Sequence, residues 1–166
     1  MKIELSEYNS NWTDLFLKEK QILENVLPFQ SLIEHIGSTS IKDLCAKPGI
    51  DILCGVEHFS FSKDLIDKIV ELNYEYVEEY NKIIPERLYF RKNGEQRFHI
   101  HLVQIGGEFW ERHVSFRDFL RKNENAKNEY ALLKRQLAQK DWLNGNEYAA
   151  AKTDFIKAIE VRAKDY

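Results

Sequence analysis

Ser31-Leu-Ile-Glu-His-Ile-Gly-Ser-Thr-Ser-Ile-Lys-Asp-Leu-Cys-Ala-Lys-Pro-Gly-Ile-Asp-Ile-Leu-Cys-Gly-Val56 is the stretch whose reading decides the fold. Two apolar, strand-like runs, Leu32 to Ile36 and Ile50 to Val56, bracket a compact polar loop. Within that loop Gly37-Ser38-Thr39-Ser40 supplies a residue without a Cβ, three hydroxyls and a helix start, the ingredients for holding a phosphate on backbone N–H groups. Asp51 then sits inside the second apolar run. A carboxylate there must be neutral, paired, hydrogen-bonded or metal-bound, because an isolated buried charge is too costly.

Upstream, Ile3 and Leu5 read as a short edge strand. Asn9, Ser10 and Asn11 offer caps to a helix carrying Trp12, Leu15, Phe16, Ile22, Leu23 and Val26 at helical spacing, which Pro28 ends. Downstream, Leu65, Ile66, Ile69, Val70 and Leu72 give an amphipathic helix over 60–73 with Ser62 as its cap, and 74–77 reads as a strand. Arg87 to Lys92 and Glu95 to Val103 flank Asn93-Gly94, a strong hairpin signal. With a two-residue turn, Leu88 pairs with His99 and Phe90 with Arg97, and His99 and His101 share one face. After Gly106-Gly107 the chain reads as helical: one or two short helices over 109–122, then 125–140, then 147–163, with Asn144-Gly145 as a break. The order predicts an α/β (α+β) protein, one sheet with helices packed on it, as a single domain over 1–166 (core 1–105, helical part 106–166).

The chain has 166 residues, 43% of them hydrophobic, enough for one ordinary core. Its net charge of -3 and scattered basic residues argue against a general nucleic-acid coat. No apolar run reaches membrane-spanning length and the first residues lack the hydrophobic stretch of a secretory signal, so a cytoplasmic protein is expected. Cys45 and Cys54 lack CxxC spacing and read as reduced thiols.

His35-Ile36-Gly37-Ser38-Thr39-Ser40, then Ala46-Lys47-Pro48 and Ile50-Asp51-Ile52, resemble the signature of the GrpB (UPF0157-like) family, a branch of the nucleotidyltransferase superfamily. Phe116-Arg117-Asp118-Phe119-Leu120-Arg121 and the late Tyr148, Lys152, Phe155, Ile156 pattern are similar to the family's C-terminal motifs, so the likeness spans nearly the whole chain. It implies a nucleotidyltransferase-like mixed sheet in which a Gly-Ser pair before a helix holds nucleotide phosphates and an acidic strand follows. Read from the residues alone, the same loop is by default a turn with a capping hydroxyl.

Gly37, Ser38, Thr39, Ser40, Lys47 and Arg117 are therefore the candidate phosphate-binding residues, with Arg121, Lys134 and Lys152 as weaker ones whose default is a solvated helix face. His35 either orients the loop or packs beneath it. Asp51 is the candidate catalytic residue and metal ligand, for Mg²⁺ or Mn²⁺ with substrate phosphates. The second carboxylate expected two residues on is absent, for Leu53 stands there. His99 and His101 are candidate metal ligands, His101 also a candidate acid or base; with Asp51 they would favour Mn²⁺, Zn²⁺ or Fe²⁺, while the plain alternative is a hydrogen-bonded polar strand face. Three functions follow: a metal-dependent nucleotidyl or phosphoryl transferase using a nucleoside triphosphate and an unknown acceptor, a catalytically inactive nucleotide- or ligand-binding module, or a metal-dependent hydrolase built on Asp51, His99 and His101. The expected partner is a nucleotide or other phosphorylated small molecule, with no membrane.

Overall fold

The structure is a computed structural model and describes residues 1–165. Helix α1 (Asn11–Glu24) leads into β1 (Leu32–Ile36), a single 3-10 turn (Ser38–Ser40) and β2 (Ile50–Val56). There follow α2 (Lys63–Val70), β3 (Glu75–Tyr76), α3 (Glu78–Ile83), β4 (Arg87–Lys92) and β5 (Phe98–Gln104). Helices α4 (Glu108–Lys122), α5 (Glu124–Ala138), α6 (Gly145–Ala150) and α7 (Thr153–Lys164) complete the chain. The five strands form one mixed sheet in the order β1-β2-β5-β4-β3, in which only β2 and β5 run parallel.

Strand alternation divides the sheet into two chemically different faces. Ile50, Ile52 and Cys54 of β2, with Phe98, Ile100 and Leu102 of β5, turn to one face and pack with Trp12, Phe16 and Leu23 of α1 and Ile66 and Ile69 of α2. The buried stripe of α1 is Trp12, Phe16, Glu19, Leu23, one helix face, while Ile22 is exposed. Glu19 tolerates burial because it accepts from the Tyr74 hydroxyl at 2.8 Å and pairs with Lys92. On the opposite face Leu53 and Val103 pack with Ile36 and with Phe109 and Trp110 of α4. Asp51, His99 and His101 share that face with Tyr89 and Arg91 of β4 and form its polar part, and residues of the C-terminal helices line the space beside them.

Four expectations are revised. Residues 1–6 do not add a strand: Ser6 forms an isolated bridge with Ala46, and Ile3 packs with Leu137 and Tyr148. The strand expected over 74–77 is only Glu75–Tyr76, and the chain then turns into α3, a helix without a buried residue and so without an apolar stripe to read. The hairpin pairs Lys92 with Phe98, Phe90 with Ile100 and Leu88 with Leu102, leaving 93–97 as its loop. The expected partners, Leu88 with His99 and Phe90 with Arg97, lose because the observed register puts Leu88 and Phe90 on the same core face as Ile100 and Leu102. The last helix is two, α6 and α7, divided at Ala151-Lys152.

Candidate functional site

Asp51 lies directly across from His99 on the parallel β5, and Leu53 across from His101. Two imidazoles therefore converge on one carboxylate: His99 Nδ1 is 3.2 Å and His101 Nε2 3.4 Å from Asp51 Oδ1. Burial works against the Asp51 charge, but the hydrogen bonds from His101 and then His99 outweigh it and hold the carboxyl well below the usual range. An ionised carboxylate only accepts, so both nitrogens facing it carry hydrogens. For His101 this is fixed from the other side as well, because Arg87 Nη1, which can only donate, lies 3.3 Å from His101 Nδ1. Arg87 itself is wedged against the rings of Tyr89 and Phe109, at 5.1 and 5.6 Å.

The ring nitrogens beside Asp51 are donors rather than lone pairs, and among the described residues no group of three or more His, Cys, Asp or Glu side chains is placed to hold a metal ion. As it stands, the Asp51, His99, His101 set is a hydrogen-bonded cluster on the strand face, with His99 Nε2 the one nitrogen of the two rings that neither Asp51 nor Arg87 engages. His101 has both nitrogens engaged, by Asp51 and Arg87, and braces Asp51.

The Gly37 loop meets the same carboxylate. Gly37 has φ +73° and ψ -178°, and a Cβ on it would lie 2.7 Å from Asp51 Oδ2. Only glycine combines that backbone with that approach. The loop is one 3-10 turn, so no α-helix dipole is aimed at a ligand from here. Two of its hydroxyls are turned inward: Ser40 Oγ donates to Gly37 O at 2.6 Å, and Thr39 Oγ1 donates to Gly49 O at 3.3 Å while accepting from His35 Nε2 at 2.9 Å. His35 thus orients the loop and also packs, stacked on Phe16 at 4.8 Å.

Beside Asp51 opens a cavity of about 390 Å³ whose lining includes Lys47, Arg91, Arg97, Lys134 and Lys152. Asp51 is the one carboxylate among the described residues that line it. Arg91 is held by Glu75 at 2.6 and 2.9 Å, whereas Lys47, Arg97, Lys134 and Lys152 have no ion-pair partner among the described residues. Lys134 is 2% exposed, donates to Cys45 O and lies 4.6 Å from the Tyr130 ring centre. Burial pushes its pKa down to about 7. Burial also lowers that of Lys152, against the pull of Asp51. The buried Tyr148 hydroxyl at this cavity has no hydrogen-bond partner among the described residues. A second cavity of the same volume lies on the other side of Asp51 and shares Ser38, Asp51 and Lys152 with the first.

Of the residues singled out from the sequence, Ser38, Thr39, Lys47, Asp51, His99, Lys134 and Lys152 gather at the basic cavity, with Gly37 and His101 on the second. Arg117 does not join them: it is buried, with Nη1 on Glu34 at 2.6 Å and on His35 O at 3.1 Å, and Nε on Asp118 at 2.8 Å. It ties α4 to β1, and Arg121 likewise caps Ser40 O at 2.7 and 3.0 Å. Sequence reasoning passed over Arg97, Tyr148 as a cavity wall, Arg87 and His113. Only the Phe109 to His113 spacing, one helical turn, was there to point to the last.

Fold and site together define a mixed α/β protein whose one polar sheet face opens onto a cation-lined cleft. The chain belongs to the GrpB family: the family model described as GrpB protein matches residues 2–162. The UPF0157 protein YqkA of Bacillus subtilis is 39% identical over 98% of this chain and 48% of its own length, so the chain spans about half of that relative. The glutamate-rich protein GrpB of Alkalihalophilus pseudofirmus is 33% identical, over 93% of this chain and 92% of its own. The crystal structure of the conserved protein GrpB from Enterococcus faecalis, 36% identical, superposes with a TM-score of 0.79 over 96% of each chain. Among the described residues no helix is long and apolar enough to cross a membrane.

Proposed function

We propose that this cytoplasmic protein binds a nucleoside triphosphate in the basic cavity and transfers a nucleotidyl or phosphoryl group to an acceptor at Asp51. One observation carries the reading: a chain of net charge -3 gathers four basic side chains without carboxylate partners around a single ionised carboxylate. A polyphosphate supplies what such a cavity lacks, and Lys47, Arg97, Lys134 and Lys152 grip it from different sides. Asp51, with one oxygen held by the two imidazoles, is the residue to hold a Mg²⁺ or Mn²⁺ that arrives with the phosphates; such an ion takes one or two carboxylates and completes its shell with phosphate and water. Bound there, the ion would neutralise phosphate charge. The protein's own contribution is to fix the polyphosphate, keep Asp51 ionised and leave the phosphorus open to attack along the sheet face.

A second reading, a binding module without chemistry, is favoured by Leu53. The position for a paired carboxylate is fully buried against Phe109 and Trp110, so the catalytic carboxylate pair of the superfamily is replaced by core. Calorimetric titration of the whole chain with ATP, with and without Mg²⁺, tests the shared part of both readings. Lys47→Ala and Lys152→Ala should each weaken binding roughly tenfold, about 1.4 kcal/mol. Absence of metal-dependent binding of any nucleotide would end the proposal. Pyrophosphate or phosphate release on addition of acceptor candidates separates the transferase from the module, which saturates without release.

A further inference from the structure

The second cavity is chemically unlike the first. It is about 390 Å³, and its walls include Ile36, Phe116, Tyr130 and Ile156, with His101 and His113 on the sheet side. At its mouth Arg112 is drawn onto Glu160, with Nε and Nη2 each 3.3 Å from one carboxylate oxygen. Beyond that pair, among the described residues, Lys152 and Lys157 add positive charge at its walls and Asp51 negative charge at the neck. A polyanion gains much less here than in the basic cavity, and an ammonium group meets cations on the way in.

His113 gives this space its polarity. Its Nδ1 lies 2.7 Å from Phe109 O, and a carbonyl only accepts, so Nδ1 carries the hydrogen and Nε2 keeps the lone pair. The ring is locked by stacking on Phe109, with centroids 3.9 Å apart, and it faces His101 at 6.4 Å. With Nδ1 turned onto its own helix, Nε2 is the lone pair that His113 has left for the cavity it lines, and such a lone pair selects a hydrogen-bond donor. Carboxylates have none, ethers have none, and a neutral hydroxyl has one.

We propose that this cavity is the acceptor site, and that the acceptor is an uncharged molecule with an apolar body whose hydroxyl donates to His113 Nε2 beside Asp51. The assignment rests on the transferase reading above and adds its second substrate class. In the transfer the hydroxyl oxygen forms the new bond to phosphorus. The bond from that phosphorus to the departing phosphate oxygen breaks, with the electron pair staying on that oxygen, and the hydroxyl proton passes to His113 Nε2. The shared residues Ser38, Asp51 and Lys152 form the neck across which the two substrates meet.

Benzyl alcohol serves as the probe, in an NMR titration of the full ¹⁵N-labelled chain. Saturable shifts are expected at Phe116, Thr153 and Ile156, with Lys47 and Arg97 unmoved, and benzoate, benzylamine and benzyl methyl ether should bind at least tenfold more weakly. His113→Phe keeps a stacking ring but removes the lone pair. It should weaken benzyl alcohol about tenfold, leave the methyl ether unchanged, and leave inorganic tripolyphosphate binding in the basic cavity intact. Ile156→Trp, on a half-buried helix position, fills the cavity and should abolish benzyl alcohol binding; it decides the matter if His113→Phe does not fold. Shifts centred on Lys47 and Arg97, no saturation, or equal binding of alcohol and ether overturn the assignment. Failure of tripolyphosphate to bind, with the alcohol result standing, instead overturns the basic cavity as the polyphosphate site.

Discussion

Gly37→Ala isolates the contact on which the site geometry depends. The residue has φ +73° and ψ -178°, a region that alanine occupies at a cost of about 1–3 kcal/mol. The added methyl would also stand 2.7 Å from Asp51 Oδ2 and 3.3 Å from Asp51 Cβ. Asp51 cannot turn away freely, because its other oxygen is tied to His99 and His101. The backbone strain alone should lower the melting temperature by about 2–12 °C, at ~2–4 °C per kcal/mol for a domain of this size, and the clash adds to that. The same variant should weaken ATP binding, since the carboxylate is displaced from the neck between the cavities. Gly94→Ala is the control: its nearest neighbour for a Cβ is Gln96 O at 3.8 Å, so it should be neutral or slightly stabilising. Because Asp51→Ala removes the clashing oxygen, the double variant Gly37→Ala/Asp51→Ala should lose less than the sum of the single ones, with a coupling of about 0.5–3 kcal/mol. Strict additivity, or a Gly37→Ala protein that melts with the parent, would refute the claim that this glycine exists to admit Asp51.

Acid should destabilise the fold earlier than its carboxylates require. Burial lowers the His35 pKa to about 4, opposed by Asp51 and aided by Arg121 and Arg117, while the unfolded chain titrates near 6.5. The unfolded state therefore binds more protons between those values, so the contribution is fully present above pH 6.5 and is lost as pH falls towards 4, about 3 kcal/mol in all. Urea denaturation at pH 7.5 and 4.5 should report that drop, and His35→Gln should shrink it. Arg117→Ala should cost about 1–3 kcal/mol by urea denaturation yet leave ATP affinity unchanged, because its partners Glu34 and Asp118 are 40% and 44% exposed and it stands outside the basic cavity; a large affinity loss would return Arg117 to the ligand site. Sulfate binding near pH 7 should draw a proton onto Lys134, whose pKa burial sets at about 7, and should therefore weaken as pH rises through that value. Calorimetry in two buffers of different ionisation enthalpy measures the uptake, which Lys134→Met should remove.

The strands and most helices were legible because their apolar residues keep period 2 or 3.6, and the shared face of His99 and His101 follows from alternation alone. What brings those residues to Asp51 does not. The parallel pairing of β2 with β5 joins segments separated by α2, β3, α3 and β4, and no local pattern specifies it. The hairpin went astray through an overridden local signal. Asn93-Gly94 favours a two-residue turn, but burying Leu88 and Phe90 beside Leu102 and Ile100 is worth more than a turn preference, and the odd shift of register set Tyr89 and Arg91 across from His101 and His99. Arg117 misled for the opposite reason: a conspicuous arginine in a motif-like run is engaged by Glu34 and Asp118, and engagement leaves no trace in sequence.

The cleft's charge is illegible for a related cause. Lys47 comes from the loop before β2, Arg97 from the hairpin loop, Lys134 from α5 and Lys152 from the break between α6 and α7. Each alone reads as a solvated cation, and the chain's total of -3 points away from an anionic ligand. Electrostatic attraction depends on where charges converge and on how little water lies between them, not on their sum. Lys134 makes the point most sharply, since a 2% exposed amine offered only a carbonyl and a ring face is a poorly compensated charge. Hydrophobic packing of α5 against the Cys45 loop is what holds it there. The fold thereby keeps a poorly compensated amine at the cavity where Asp51 is the one carboxylate among the described residues that line it.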